Sequence, residues 1–148
     1  MGTHNLLERF AAQANDFERT FIDDEWSRLE QYFTVDAVYE TLGEGGERFV
    51  GRPALLAALR RAVTNFDRRC DSRTLVTTDG PHQRYEEVRR TWSCRFAVSG
   101  APDLIIEGDE RALYRDDLID LLQETLTPAS RANLNSWVAT HGSKLAPR

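Results

Sequence analysis

Chemistry in this 148-residue chain would have to come from a few charged side chains set among apolar ones. The segment Tyr85–Val98 alternates like a strand, and Arg90 interrupts an inward face otherwise formed by Val88, Trp92, Cys94 and Phe96. A guanidinium there needs a carboxylate or an anionic ligand, because an unpaired internal charge is costly. Arg90 therefore reads as half of an ion pair with a neighbouring strand, or as an anchor for an anion or carbonyl oxygen. On the next segment, Leu104–Arg115, Glu110 shares a face with Gly108, Ala112 and Tyr114. Asp67-Arg68-Arg69-x-Asp71-x-Arg73 alternates in sign, the pattern of a solvated, salt-bridged rim, with a specific anion site as the alternative. Cys70, Cys94, His4, His82 and His141 are too scattered for a local zinc ligand set, so no metal is expected and the thiols read as free, with a cross-strand disulfide as the alternative. Trp26, Trp92 and Trp137 read as core or as the wall of a ligand cavity.

The elements that must hold these residues follow from periodicity. Leu6, Leu7, Phe10, Ala14, Phe17 and Phe21 recur at helical spacing, and a second helix capped by Asp23 or Asp24 is expected to turn Trp26, Leu29 and Phe33 inward. Ala37–Leu42 reads as a strand, and Pro53 opens a third helix through Phe66. The second half then reads as strands over Arg69–Thr78, Tyr85–Val98, Leu104–Arg115 and Leu118–Leu126. Asp79-Gly80-Pro81-His82 and Asp116-Asp117 are the expected turns. Thr127-Pro128 begins a last helix, stopped by Gly142. The order implies one α+β domain, residues 1–148, with helices packed on one face of a curved sheet.

Composition narrows the function classes. With 41% hydrophobic and 29% charged residues the chain can bury a real core. Its net charge of −5 argues against nucleic-acid binding. No apolar run approaches the ~18 residues of a membrane span, and MGTHNLLERF does not resemble a secretory signal, so a cytoplasmic protein is expected.

Two stretches carry a family likeness. Trp26-x-x-Leu29-x-x-Tyr32-Phe33-x-x-Asp36-Ala37-Val38-Tyr39-Glu40, followed by Phe49-x-Gly51-Arg52-x-Ala54-Leu55, resembles the SnoaL-like branch of the nuclear transport factor 2-like superfamily. Gly108-x-Glu110-x-Ala112-x-Tyr114-x-Asp116-Asp117-x-Ile119-x-x-Leu122 is similar to that family's final hairpin. The resemblance spans about residues 6 to 140 and implies a cone: a mostly antiparallel sheet curved around the N-terminal helices, with a pocket at one end. It does not choose among the isomerases, dehydratases, cyclases, epoxide hydrolases and binding proteins of the superfamily.

Residue by residue, the likeness is selective. Glu110 falls where ketosteroid isomerases carry a protonated acid, but their base falls at Thr41 and their phenol at Phe17, so that chemistry is not implied. Compared with limonene-type epoxide hydrolases, Tyr39 falls at the water-positioning tyrosine, Thr41 at the asparagine and Glu124 at the last-strand aspartate. Their arginine and second aspartate fall at Val88 and Arg90, so the epoxide-opening acid is missing. Glu124 is then the expected general acid or base, with Tyr39 and Arg90 as catalytic partners. Asp120 is a weaker substitute for it. Thr41, Trp26, Trp92, Glu110, Tyr114 and Leu122 are the expected substrate-binding residues. A carboxylate among Trp26, Trp92, Leu122 and Leu126 should hold its proton unusually well, unless Arg90 pairs with it directly. The expected activity is cofactor-free proton transfer on an apolar cyclic metabolite, in a homodimer built through the outer sheet face bearing Arg89, Thr91, Ser93 and Arg95. The alternative is a non-catalytic ligand-binding or association module.

Overall fold

The structure, a computed structural model, describes residues 5–147, so His4 lies outside it. Helix α1 runs Leu6–Asp23. Asn5 caps it by accepting from the Glu8 N–H at 3.3 Å, and Asp24, in the left-handed region at φ 61°, ends it. The expected second α-helix is instead a 3₁₀ segment, Trp26–Tyr32. Side chains pin both of its ends to α1: the Trp26 indole donates to Asp24 at 2.6 Å and the Tyr32 hydroxyl to Asp16 at 2.5 Å. Phe33 belongs to the following strand, pairing with Ile119, so it leaves no room for further helical turns.

Six strands follow: β1 (Phe33–Leu42), β2 (Arg48–Val50), β3 (Ser72–Arg84), β4 (Glu87–Ala97), β5 (Leu104–Arg115) and β6 (Leu118–Leu126). They form one sheet in the order β2-β1-β6-β5-β4-β3, parallel only between β1 and β6. Helix α2 (Arg52–Asn65) packs on β1, and α3 (Pro128–His141) packs on β5. Thr127 caps α3 as its sequence implies, accepting from the Ser130 N–H at 3.1 Å. Gly142 ends that helix as expected, though not in a left-handed turn. It is right-handed and leads into a 3₁₀ turn to Lys144. No helix among the described residues is long and apolar enough to cross a membrane.

One expected turn is a bulge. β3 continues through Asp79–His82 to Arg84, with register shifts against β4 on both sides of Asp79, and the chain reverses at Tyr85-Glu86. Gly80 sits at φ 91° with Arg89 O only 2.9 Å from where a Cβ would stand. Gly-Pro thus marks a bend within a strand that keeps pairing beyond it. Asp116-Asp117 is the tight turn expected, both residues at positive φ.

The inner sheet face and the helices enclose two apolar clusters. One joins α1, the 3₁₀ segment and α2 to β1 and β6, around Phe10, Leu29, Phe33, Leu55 and Leu122. The other joins β4, β5 and α3, around Trp92, Phe96, Leu104, Ile106 and Trp137. Each large side chain so buried contributes roughly 1.5–3 kcal/mol before entropy is counted.

Candidate functional site

A cavity of about 370 Å³ lies between the two clusters, walled by Tyr39, Leu59, Val63 and Leu122 from one and by Trp92, Phe96 and Ile106 from the other. That volume is at the lower end of the range of roughly 300–1,000 Å³ for small-molecule sites. Asn15 on α1 and Thr77 on β3, both exposed, mark its rim.

Sheet register builds its polar wall. Arg90, Glu110 and Glu124 are successive cross-strand partners on β4, β5 and β6, so their side chains rise in a row on the inner face. Arg90 Nε donates to Glu110 Oε1 at 2.8 Å, and Arg90 Nη1 donates to Thr77 Oγ1 at 3.1 Å. Tyr39, diagonal to Glu124 on the neighbouring β1, donates its O–H to Glu124 Oε2 at 2.7 Å. Arg90 therefore pairs with Glu110 and not with Glu124. Glu124 is half-buried, surrounded by protein but reached through the cavity. Burial and the neighbouring charge of Glu110 push its carboxyl up to about 8, against the opposing Tyr39 hydrogen bond and the more distant Arg90. Burial first, then the Glu124 charge, holds the Tyr39 phenol well above its ordinary value.

Of the residues picked from sequence, Glu124, Tyr39, Arg90, Glu110, Trp92 and Leu122 line the cavity. Thr41, Trp26 and Tyr114 do not. Thr41 is the β1 partner of Glu124, but its hydroxyl accepts from Glu47 N at 2.9 Å and serves the β1–β2 hairpin. Trp26 stands edge-on behind Phe17, ring centroids 5.9 Å apart, in the core. Tyr114 is buried in the same core, its hydroxyl without a partner among the described residues. Asp120 faces away, hydrogen-bonded to Thr34 at 2.8 Å and to Arg115 at 3.1 Å. Trp137 donates to Pro102 O at 2.9 Å and packs against Phe66, away from the cavity. Both thiols are free, and burial pushes Cys70 up to about 11 and Cys94 up to about 12.

The charge run 67–73 is not a solvated rim. The Arg73 side chain is only 6% exposed, and it binds Asp67 at 2.8 Å and Glu18 at 2.7 Å inside the cavity wall. Burial raises the Asp67 carboxyl above its usual range despite Arg73. The signal was present: Arg73, Leu75 and Thr77 share one strand parity, opposite Phe96, Cys94 and Trp92. Gln13, also absent from the sequence reading, sits between Phe10 and Phe17 on the buried face of α1. It is 5% exposed, lines the cavity and makes no side-chain hydrogen bond among the described residues.

No protein-family model and no curated protein matches the chain in sequence. Solved structures do resemble it. An NTF2-like protein of unknown function from Burkholderia pseudomallei aligns with a TM-score of 0.69 at 12% identity, covering 88% of this chain and 97% of that one. An NTF2-like protein from Burkholderia xenovorans aligns at 0.61 and 15%, covering 88% and 97%. TerC co-crystallised with polyporic acid aligns at 0.66 and 11%, covering 90% and 98%. At such identities the likeness speaks to fold alone: helices on the inner face of a curled, unclosed, mixed six-stranded sheet are, in this chain, the NTF2-like fold.

Proposed function

We propose that this is a SnoaL-like, cytoplasmic small-molecule pocket protein whose Glu124 performs cofactor-free acid–base chemistry on an apolar cyclic metabolite. The reaction class is isomerisation, dehydration or aldol-type closure. The observation that carries the reading is the Glu124 carboxyl in the cavity wall, bonded to the Tyr39 hydroxyl, with Arg90 occupied by Glu110. A carboxyl that exchanges its proton near neutral pH serves as either acid or base. Tyr39 orients it, and Arg90 acts through Glu110, whose charge it balances. The second reading is ligand binding without turnover. It is favoured by the hydrogen bonds that already engage Tyr39, Glu110 and Arg90. In both readings the protein is a homodimer through the outer sheet face.

Hydrogen–deuterium exchange of 2-tetralone in D₂O, followed by NMR, separates the two. Catalysis predicts that wild-type protein accelerates α-proton exchange and that Glu124→Gln lowers this at least tenfold while the ketone still binds. Binding with no protein-dependent exchange supports the module. Equal exchange in wild type and variant removes Glu124 from the mechanism.

A further inference from the structure

The cavity's charges do not balance, and the imbalance describes its ligand. Three carboxylates, Glu18, Asp67 and Glu110, face it beside a Glu124 that holds its proton, against Arg73 and Arg90 among the described residues. Neither guanidinium is free: Arg90 is committed to Glu110 at 2.8 Å, and Arg73 is shared by Asp67 at 2.8 Å and Glu18 at 2.7 Å. A ligand carboxylate or phosphate would therefore find no unclaimed cation in the wall and would face like charge. At the Arg73 end, one cation meets two carboxylates, which leaves one negative charge uncompensated beside aromatic rings. Phe17 and Phe21 lie 5.9 and 5.0 Å from the Arg73 guanidinium carbon. Such surroundings suit a second organic cation. A separate feature asks for a ligand. Gln13, a residue more than nine-tenths buried, lines the same wall and has no side-chain hydrogen bond among the described residues, so its amide is left to pair with whatever fills the cavity.

We infer that the cavity selects organic cations: its ligand has an apolar body bearing a protonated amine, held by Asp67 and Glu18 as a second cation beside Arg73. This rests on the small-molecule-pocket reading above and names the substrate class of that site. Glu18 and Asp67 are bonded to Arg73 and Tyr39 is bonded to Glu124, so amine binding and proton transfer use different residues of the one cavity.

Cyclohexylmethylamine, cyclohexylmethanol and cyclohexanecarboxylate share a skeleton and differ in charge. Each is titrated at pH 7 and low salt into ¹⁵N-labelled protein. The readout is the Trp92 indole N–H signal, because of the three tryptophans Trp92 alone lines the cavity. The expected order is amine tightest, at least tenfold over the alcohol, and carboxylate weakest. Glu18→Gln, at a side chain 46% exposed and hence tolerant of change, should bring the amine to within about twofold of the alcohol. Glu124→Gln should keep the amine preference. Alcohol and carboxylate binding as tightly as the amine would overturn the charge reading and leave the pocket reading intact. A preference that survives Glu18→Gln, or is lost in Glu124→Gln, overturns the placement of the amine. If none of the three moves the Trp92 signal, the pocket reading and this inference fall together.

Discussion

Arg90 has two carboxylates near it and takes the one on the adjacent strand. Glu110 is its direct β5 partner, whereas Glu124 is one strand further away. That single choice leaves Glu124 as a carboxyl that holds its proton, where a direct bond to Arg90 would have kept it ionised. A thermodynamic consequence follows. In the folded protein Glu124 keeps its proton up to about 8, against an ordinary value of 4.5. Between those values the folded state binds more protons than the unfolded one, so this group makes stability fall as pH rises through that window. Glutamine mimics the protonated acid and cannot ionise. Glu124→Gln should therefore match wild type in urea unfolding near pH 4 and exceed it at pH 8, by roughly 4 kcal/mol at most. Curves that stay parallel from pH 4 to pH 8 would mean that Glu124 titrates normally.

Among the elements, β5 is the one on which the site depends. It pairs with β4 from Leu104 to Leu113 and with β6 from Gly108 to Arg115, and its inner residues run buried from Leu104 to Tyr114. Gly108 lies in that row beneath the Trp92 ring. A Cβ there would stand 2.6 Å from Thr125 O and 2.7 Å from Trp92 Cζ2. The backbone oxygen is fixed by sheet pairing, so only the indole can yield, and it forms part of the cavity wall. Gly108→Ala should cost about 1–3 kcal/mol in chemical denaturation and shift the Trp92 indole signal. A variant as stable as wild type, with that signal unmoved, would contradict this packing. Elements also explain two departures from the sequence reading. Periodicity gave the 3₁₀ segment and the β3 bulge their residues, but pins to Asp16 and Asp24 and continued pairing with β4 decided their shapes.

At the scale of the whole molecule, the outer sheet face has the mixed apolar and charged character suited to self-association. Val50 is 60% exposed, Ile105 43% and Leu42 41%, and Arg89 and Arg95 lie exposed among Glu107 and Asp109. An isologous contact can set those arginines against those acids. Light scattering should give about twice the 16.9 kDa chain mass, and Arg89→Glu with Arg95→Glu should return the monomer. A monomeric wild type at micromolar concentration rejects the interface. Alternation along β4 and β5, the Asp116-Asp117 turn and the Thr127-Pro128 cap are local properties of the chain. The sequence by itself therefore determined the α+β layout, the strands β4, β5 and β6 and the inward parity of Arg90 and Glu110, whereas Glu124 was marked by the family resemblance. It did not determine which ion pairs form, because both acids share Arg90's parity and the choice depends on strand order. It likewise left Arg73 hidden within a run of alternating charge, and Thr41, Trp26 and Tyr114 as apparent pocket residues. Whether an inward side chain meets a void or another side chain depends on how far the sheet curls and where α1 lies across it. Only the tertiary structure decided that, since the cavity is bounded by residues of α1, α2 and five strands at once.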